Sequence, residues 1–146
     1  TAMLAEYYIG ECQVRMKKHE EAIKSFAGYL KDAGPESALA GLAVEGTAVA
    51  YEATDKLDEA RKQYERLTKE PFEQSKDRGL YHLARLEAIS GKKELAAKLF
   101  MELQRDFPES AFAREAQERL TVLPKVELPE KPAADSDKVE AEAQPS

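Results

Sequence analysis

Between Ala2 and Leu120 the apolar residues recur at three- and four-residue spacing, the signature of helices with one buried face. Ala2 to Met16 predicts a first helix, with Leu4, Tyr8, Ile9 and Cys12 near one face. Glu20 to Lys31 predicts a second, carrying Ala22, Ile23, Phe26 and Leu30. Gly34 ends it, and Pro35 is expected in the first turn of the next helix, where its missing N–H is tolerated. That third helix runs from Glu36 to Ala53 and holds Ala38, Gly41, Ala43, Gly46 and Ala50. A glycine inside a helix costs about 1 kcal/mol relative to alanine, so these small residues point to a neighbouring helix at close approach. Leu57 to Lys69, Glu73 to Ser90, Lys92 to Asp106 and Glu109 to Leu120 complete the helical series. No segment reads as a strand.

The series repeats itself. Pro35, Pro71 and Pro108 stand 36 and 37 residues apart, and Pro-Glu-Ser-Ala occurs at both Pro35 and Pro108. An aromatic recurs at Phe26, Tyr64 and Phe100, each four residues after an alanine: Ala22, Ala60 and Ala96. A fixed period in this range means stacked helical units, none of which can bury its apolar face alone. The last helix carries Arg114, Glu115 and Glu118 on one side, as suits a terminal cap. The first helix has no such polar outer side. That end is expected to continue into more repeats or to be covered by another chain. The sequence opens at Thr1 without an initiator methionine, which reads as a fragment or a processed product.

Composition narrows the function. Charged residues make up 34% of the 146, and mean hydropathy is −0.60, as expected of solvated helices. A net charge of −6 disfavours an electrostatic grip on nucleic acid. Cys12 is the only cysteine, so no intrachain disulfide forms, and it is expected to be a small core residue. No apolar run reaches the roughly 18 residues of a membrane span. From Pro124 onward prolines alternate with alanine and charge, and six acids face three lysines. Residues 1–123 therefore read as the helical repeat domain, and 124–146 as an acidic, Pro/Ala-rich disordered tail.

The repeat resembles the tetratricopeptide repeat (TPR) family. That family places a small residue midway along helix A, an alanine early in helix B, an aromatic four residues later and a proline at the repeat end. Gly10, Ala22, Phe26 and Gly34-Pro35 occupy those places in the first unit. Ala48, Ala60, Tyr64 and Pro71 do so in the second, and Ala84, Ala96, Phe100 and Pro108 in the third. Departures are a spacing of 36 to 38 residues, Tyr29, Leu67 and Leu103 where alanine is usual, and Glu6 and Gln13 at normally apolar sites. The resemblance implies an all-α, right-handed superhelical array of three helical hairpins plus a C-terminal capping helix. The long repeats and Phe107-Pro108-Glu109-Ser110-Ala111 look like the bacterial envelope type: Tol-Pal-associated, outer-membrane-assembly and translocon-ancillary TPR proteins. That implies a periplasmic or membrane-tethered setting, with the cytoplasm as the alternative.

Catalytic signatures are sparse. There is no phosphate-binding glycine loop, and no Cys/His spacing suits a metal. His19 is expected in a turn and His82 packed mid-helix or at a groove edge. No catalytic residue, cofactor or metal ligand is assigned. In the TPR resemblance, helix A lines a concave groove at sites that fall on Tyr7, Glu11 and Arg15, then Glu45, Val49 and Glu52, then Tyr81, Arg85 and Ile89. Helical spacing agrees that each set shares a face. Glu11, Glu45 and Glu52, and the lack of any asparagine, disfavour a clamp for a peptide's terminal carboxylate. The expected function is a non-catalytic scaffold that binds a peptide or partner helix, without nucleic acid and without inserting into a membrane. The alternatives are a homo-oligomer formed through the first helix, and the regulatory or C-terminal part of an enzyme whose catalytic region precedes Thr1.

Overall fold

The computed structural model describes residues 2–131. Among them the chain forms seven α-helices and no strand: α1 (Ala2–Arg15), α2 (His19–Ala33), α3 (Ala40–Ala53), α4 (Leu57–Leu67), α5 (Lys76–Ile89), α6 (Lys93–Asp106) and α7 (Ala113–Leu120). Helices α1 and α2, α3 and α4, and α5 and α6 pack as hairpins. Each hairpin then leans on the next, α2 on α3 and α4 on α5, while α7 closes the array against α6. The molecule is an all-α array of helical hairpins.

The turn inside each hairpin is the same. Lys17, Asp55 and Gly91 take left-handed backbone angles, with φ of 60°, 61° and 84°. The N–H of the following lysine reaches back to the carbonyl of Gln13, Tyr51 or Glu87 at 2.8, 2.9 and 2.9 Å. That i to i−5 bond satisfies a carbonyl that the helix end would leave unpaired.

The turns between hairpins correct the expected helix starts. The Ser37 N–H bonds the Gly34 carbonyl at 3.2 Å, and the Ala40 N–H bonds the Ser37 carbonyl at 3.1 Å. Ser110 and Ala113 repeat this on Phe107 and Ser110 at 3.0 and 3.1 Å. Pro-Glu-Ser-Ala thus makes two successive turns instead of a first helical turn. Helix α3 begins at Ala40 rather than Glu36, and α7 at Ala113 rather than Glu109. Side chains fasten both turns: Tyr29 donates to the Ser37 hydroxyl at 3.0 Å, and the Ser110 hydroxyl donates to Asp77 at 2.6 Å. The break at Pro71 also makes two successive turns, the Phe72 N–H bonding the Lys69 carbonyl at 2.9 Å and the Ser75 N–H the Phe72 carbonyl at 2.8 Å, and it includes a 3-10 turn (Glu73–Ser75) before α5.

The alanine–aromatic steps meet where the period places them. Ala22, Phe26, Ala60, Tyr64, Ala96 and Phe100 are all buried. Glycines allow the approach: a Cβ on Gly10 would lie 2.8 Å from the Phe26 ring, and one on Gly79 would lie 2.8 Å from Leu67. Of the polar residues at normally apolar sites of α1, Gln13 accepts from Ser25 at 2.7 Å, whereas Glu6 lies over Gly28 with its Oε2 buried and without a hydrogen-bond partner among the described residues.

The first helix is turned differently from expectation. Tyr7 and Gly10 are its buried residues, while Leu4, Tyr8, Ile9 and Cys12 are exposed. Of the segment expected to be a tail, residues 124–131 have no regular structure, and Arg105 donates to the Pro129 carbonyl at 3.0 Å. The remainder of that segment lies outside the described residues.

Candidate functional site

Helices α1, α3 and α5 supply the first helix of each hairpin, and their shared side carries the expected groove residues. Four of these come together in one cleft of about 230 Å³. Tyr7 and Glu11 enter it from α1, and Glu45 and Val49 from α3. Val14, Leu42, Gly46 and Arg78 complete its walls. Tyr7 is held edge-on against Tyr29, at 5.6 Å between ring centres. Val49 is 36% exposed, and Arg15 extends into solvent 3.7 Å from Glu11.

The two acidic residues of α3 are engaged inside the protein. Glu45 accepts from Arg78 at 2.7 Å and pairs with His82 Nε2 at 2.8 Å. Glu52 takes a two-pronged contact from Arg85 and a hydrogen bond from the Tyr64 hydroxyl at 2.5 Å. These pairs run from α3 to α5 and tie the second hairpin to the third. Burial alone would raise the Glu45 carboxyl, but the His82 hydrogen bond and the Arg78 charge outweigh it and hold it below the usual range. Burial likewise opposes Glu52, and the bonds from Arg85 and Tyr64 prevail, again lowering the carboxyl. Burial and the hydrogen bond to Glu52 push the Tyr64 phenol upward.

Tyr81 is buried beneath the cap. Its ring stacks on Phe112 at 4.9 Å, and its hydroxyl donates to Glu115 on α7 at 2.5 Å. Ile89, at the far end of α5, is 64% exposed. His82 lies flat on Tyr64, with ring centres 5.0 Å apart and planes at 15°. The free part of the wall is therefore the cleft between the first two hairpins, with a charged floor already neutralised from within.

Arg78, Val14 and Leu42 belong to this wall but were not read from the sequence. Leu42 and Arg78 stand 36 residues apart at one repeat position, so the period carried that signal. Among the described residues no group of His, Cys, Asp or Glu is placed to hold a metal ion. No helix among them is long and apolar enough to cross a membrane.

Stacked helical hairpins closed by a polar terminal helix, with their first helices lining a common wall, define a helical-repeat protein. The family model for the tetratricopeptide repeat matches residues 14–74 and 45–111. The chain belongs to the tetratricopeptide repeat family, whose members are generally non-catalytic and whose repeats point to a scaffold for protein–protein interaction. A comparison with curated proteins found no match.

Proposed function

We propose that this domain is a non-catalytic scaffold that docks an extended peptide or a partner helix in the cleft between α1 and α3. One observation carries the reading. Val14, Leu42 and Val49 line an open cleft beside Tyr7, while the charges of Glu45 and Arg78 beneath them compensate one another and His82 hydrogen-bonds with Glu45. Apolar anchors beside charges that are already paired can take up a ligand's apolar side chains without leaving a buried charge uncompensated. Because Arg78 and Arg85 already serve Glu45 and Glu52, no cation at the centre of the wall is spare for a terminal carboxylate. The ligand is therefore recognised by internal side chains, apolar residues flanked by charge, rather than by its terminus.

The envelope setting rests on the resemblance in repeat length and in Phe107-Pro108-Glu109-Ser110-Ala111, and on nothing in the cleft.

The test uses peptides selected by display against the domain. Val49→Glu places a charge at an exposed position, so folding is retained. Affinity is expected to fall at least about tenfold, or 1.4 kcal/mol. Selected peptides that bind Val49→Glu and wild type equally would overturn the cleft assignment.

A further inference from the structure

The cleft between α1 and α3 carries more negative than positive charge. Two carboxylates, Glu11 and Glu45, line it against one guanidinium, Arg78. Arg78 is already engaged twice. It donates to Glu45 at 2.7 Å, and its guanidinium carbon lies 5.2 Å from the centre of the Phe112 ring. Glu45 is held in turn by Arg78 and by His82 Nε2 at 2.8 Å. Glu11 has no such hold. Its one ion pair among the described residues is with Arg15 on the same helix, at 3.7 Å, longer than a hydrogen bond. Arg15 is 76% exposed, and a surface pair of that kind contributes little.

The field at Tyr7 has the same sign. Burial raises its phenol first, and the charges of Glu11 and Glu45 raise it further against a smaller opposing effect of Arg78. Glu11 is the uncompensated carboxylate of the cleft. It also stands beside the apolar lining. Glu11 and Val14 are three residues apart on α1 and share a face, and Leu42 and Val49 enter the cleft from α3.

We propose that the cleft selects a basic segment of a partner protein: an arginine or lysine that pairs with Glu11, beside a large apolar side chain seated against Val14, Leu42 and Val49. This rests on the cleft being the docking site and adds the sign of the charge its ligand carries. In an extended segment the two side chains stand at i and i+2, because alternate residues share a face. In a helix they stand at i and i+3 or i+4. Arginine is preferred to lysine, since its planar fork takes both carboxylate oxygens at once. The chain's net charge of −6 favours encounter with such a segment over an acidic one.

The probes are synthetic peptides taken from a random display library selected against the whole chain. Each is also made with its arginine replaced by citrulline, or its lysine by acetyl-lysine, neutral groups of similar shape. Binding is measured to wild type, Glu11→Gln, Val49→Gln and Glu36→Gln. Val49→Gln removes an apolar contact without adding charge, and Glu36 is an exposed carboxylate outside the cleft. Selected peptides are expected to carry a cation and to lose at least about fivefold in affinity on Glu11→Gln. The neutralised peptides are expected to bind wild type and Glu11→Gln alike, and Glu36→Gln to change nothing. Peptides weakened by Val49→Gln but bound equally by wild type and Glu11→Gln would overturn the charge preference and leave the cleft standing. A loss on Glu11→Gln that survives neutralising the cation would overturn it too. Peptides indifferent to Val49→Gln would overturn the cleft reading and this inference with it. A loss of the same size on Glu36→Gln would show general attraction to an acidic chain and overturn the inference as well.

Discussion

The Phe26 ring occupies the space that a side chain on Gly46 would fill: a Cβ there would lie 2.6 Å from Phe26 Cε2. The contact joins the first hairpin to the second, with Gly10 on the other side of the same ring. Alanine normally stabilises a helix interior by about 1 kcal/mol over glycine. Here the added methyl meets a ring packed in the core, so Gly46→Ala is expected to destabilise the domain by about 1–3 kcal/mol. Urea denaturation followed by circular dichroism measures it.

Phe100 anchors the third hairpin beneath Tyr81, at 6.0 Å between ring centres, and is fully buried with Leu103 and Ala116. Truncating it removes a ring and leaves a cavity. Phe100→Ala is expected to cost about 3–5 kcal/mol in the same assay. A loss below about 1 kcal/mol would mean the hairpin does not depend on this contact.

The three hairpin turns offer an internal comparison. Gly91 adopts its left-handed angle without strain, whereas Lys17 takes the same conformation with a side chain. An L-residue in that region carries a penalty of roughly 1–2 kcal/mol. Lys17→Gly is therefore expected to raise the melting temperature, and Gly91→Ala to lower it. Thermal scans of the two variants check both signs.

Glu45 and Glu52 give the domain an acid-sensitive seam between α3 and α5. Both carboxyls are held below their ordinary value of 4.5 in the folded state. A depressed carboxyl stabilises the fold fully above its unfolded value, and the contribution disappears as pH falls through the folded value. Stability is thus expected to hold near neutrality and to decline below about pH 4.5. Glu52→Gln is expected to cost about 1–3 kcal/mol at neutral pH, because Arg85 and the Tyr64 hydroxyl lose a charged acceptor. It should also flatten the acid limb of a stability–pH profile.

The alanine–aromatic steps were legible because a 36- to 38-residue period fixes them three times over. The orientation of α1 was not legible from that helix alone. It is apolar on several sides, and Tyr7 and Tyr8 are adjacent, so helical spacing does not choose between them. Its register against α3 does choose: Tyr7 falls with Glu45 on the inner wall, and Tyr8 with Gly46 on the stacking face. The starts of α3 and α7 were misplaced because proline suits both a first helical turn and the tight turns that Ser37 and Ser110 fasten here. In the candidate cleft, the rows on α1 and α3 were implied by the TPR resemblance, and spacing along each helix agreed with them. Their pairing partners were not, because Arg78, His82 and Arg85 meet Glu45 and Glu52 from 33 or 37 residues away.

The most direct test of the account is site-specific photocrosslinking to a display-selected peptide. A benzophenone side chain is placed in turn at Val49, inside the cleft, and at Lys62, exposed on α4. Crosslinking from Val49 and none from Lys62 is the predicted result. Crosslinking from Lys62 with none from Val49 would contradict a scaffold that binds through its inner wall.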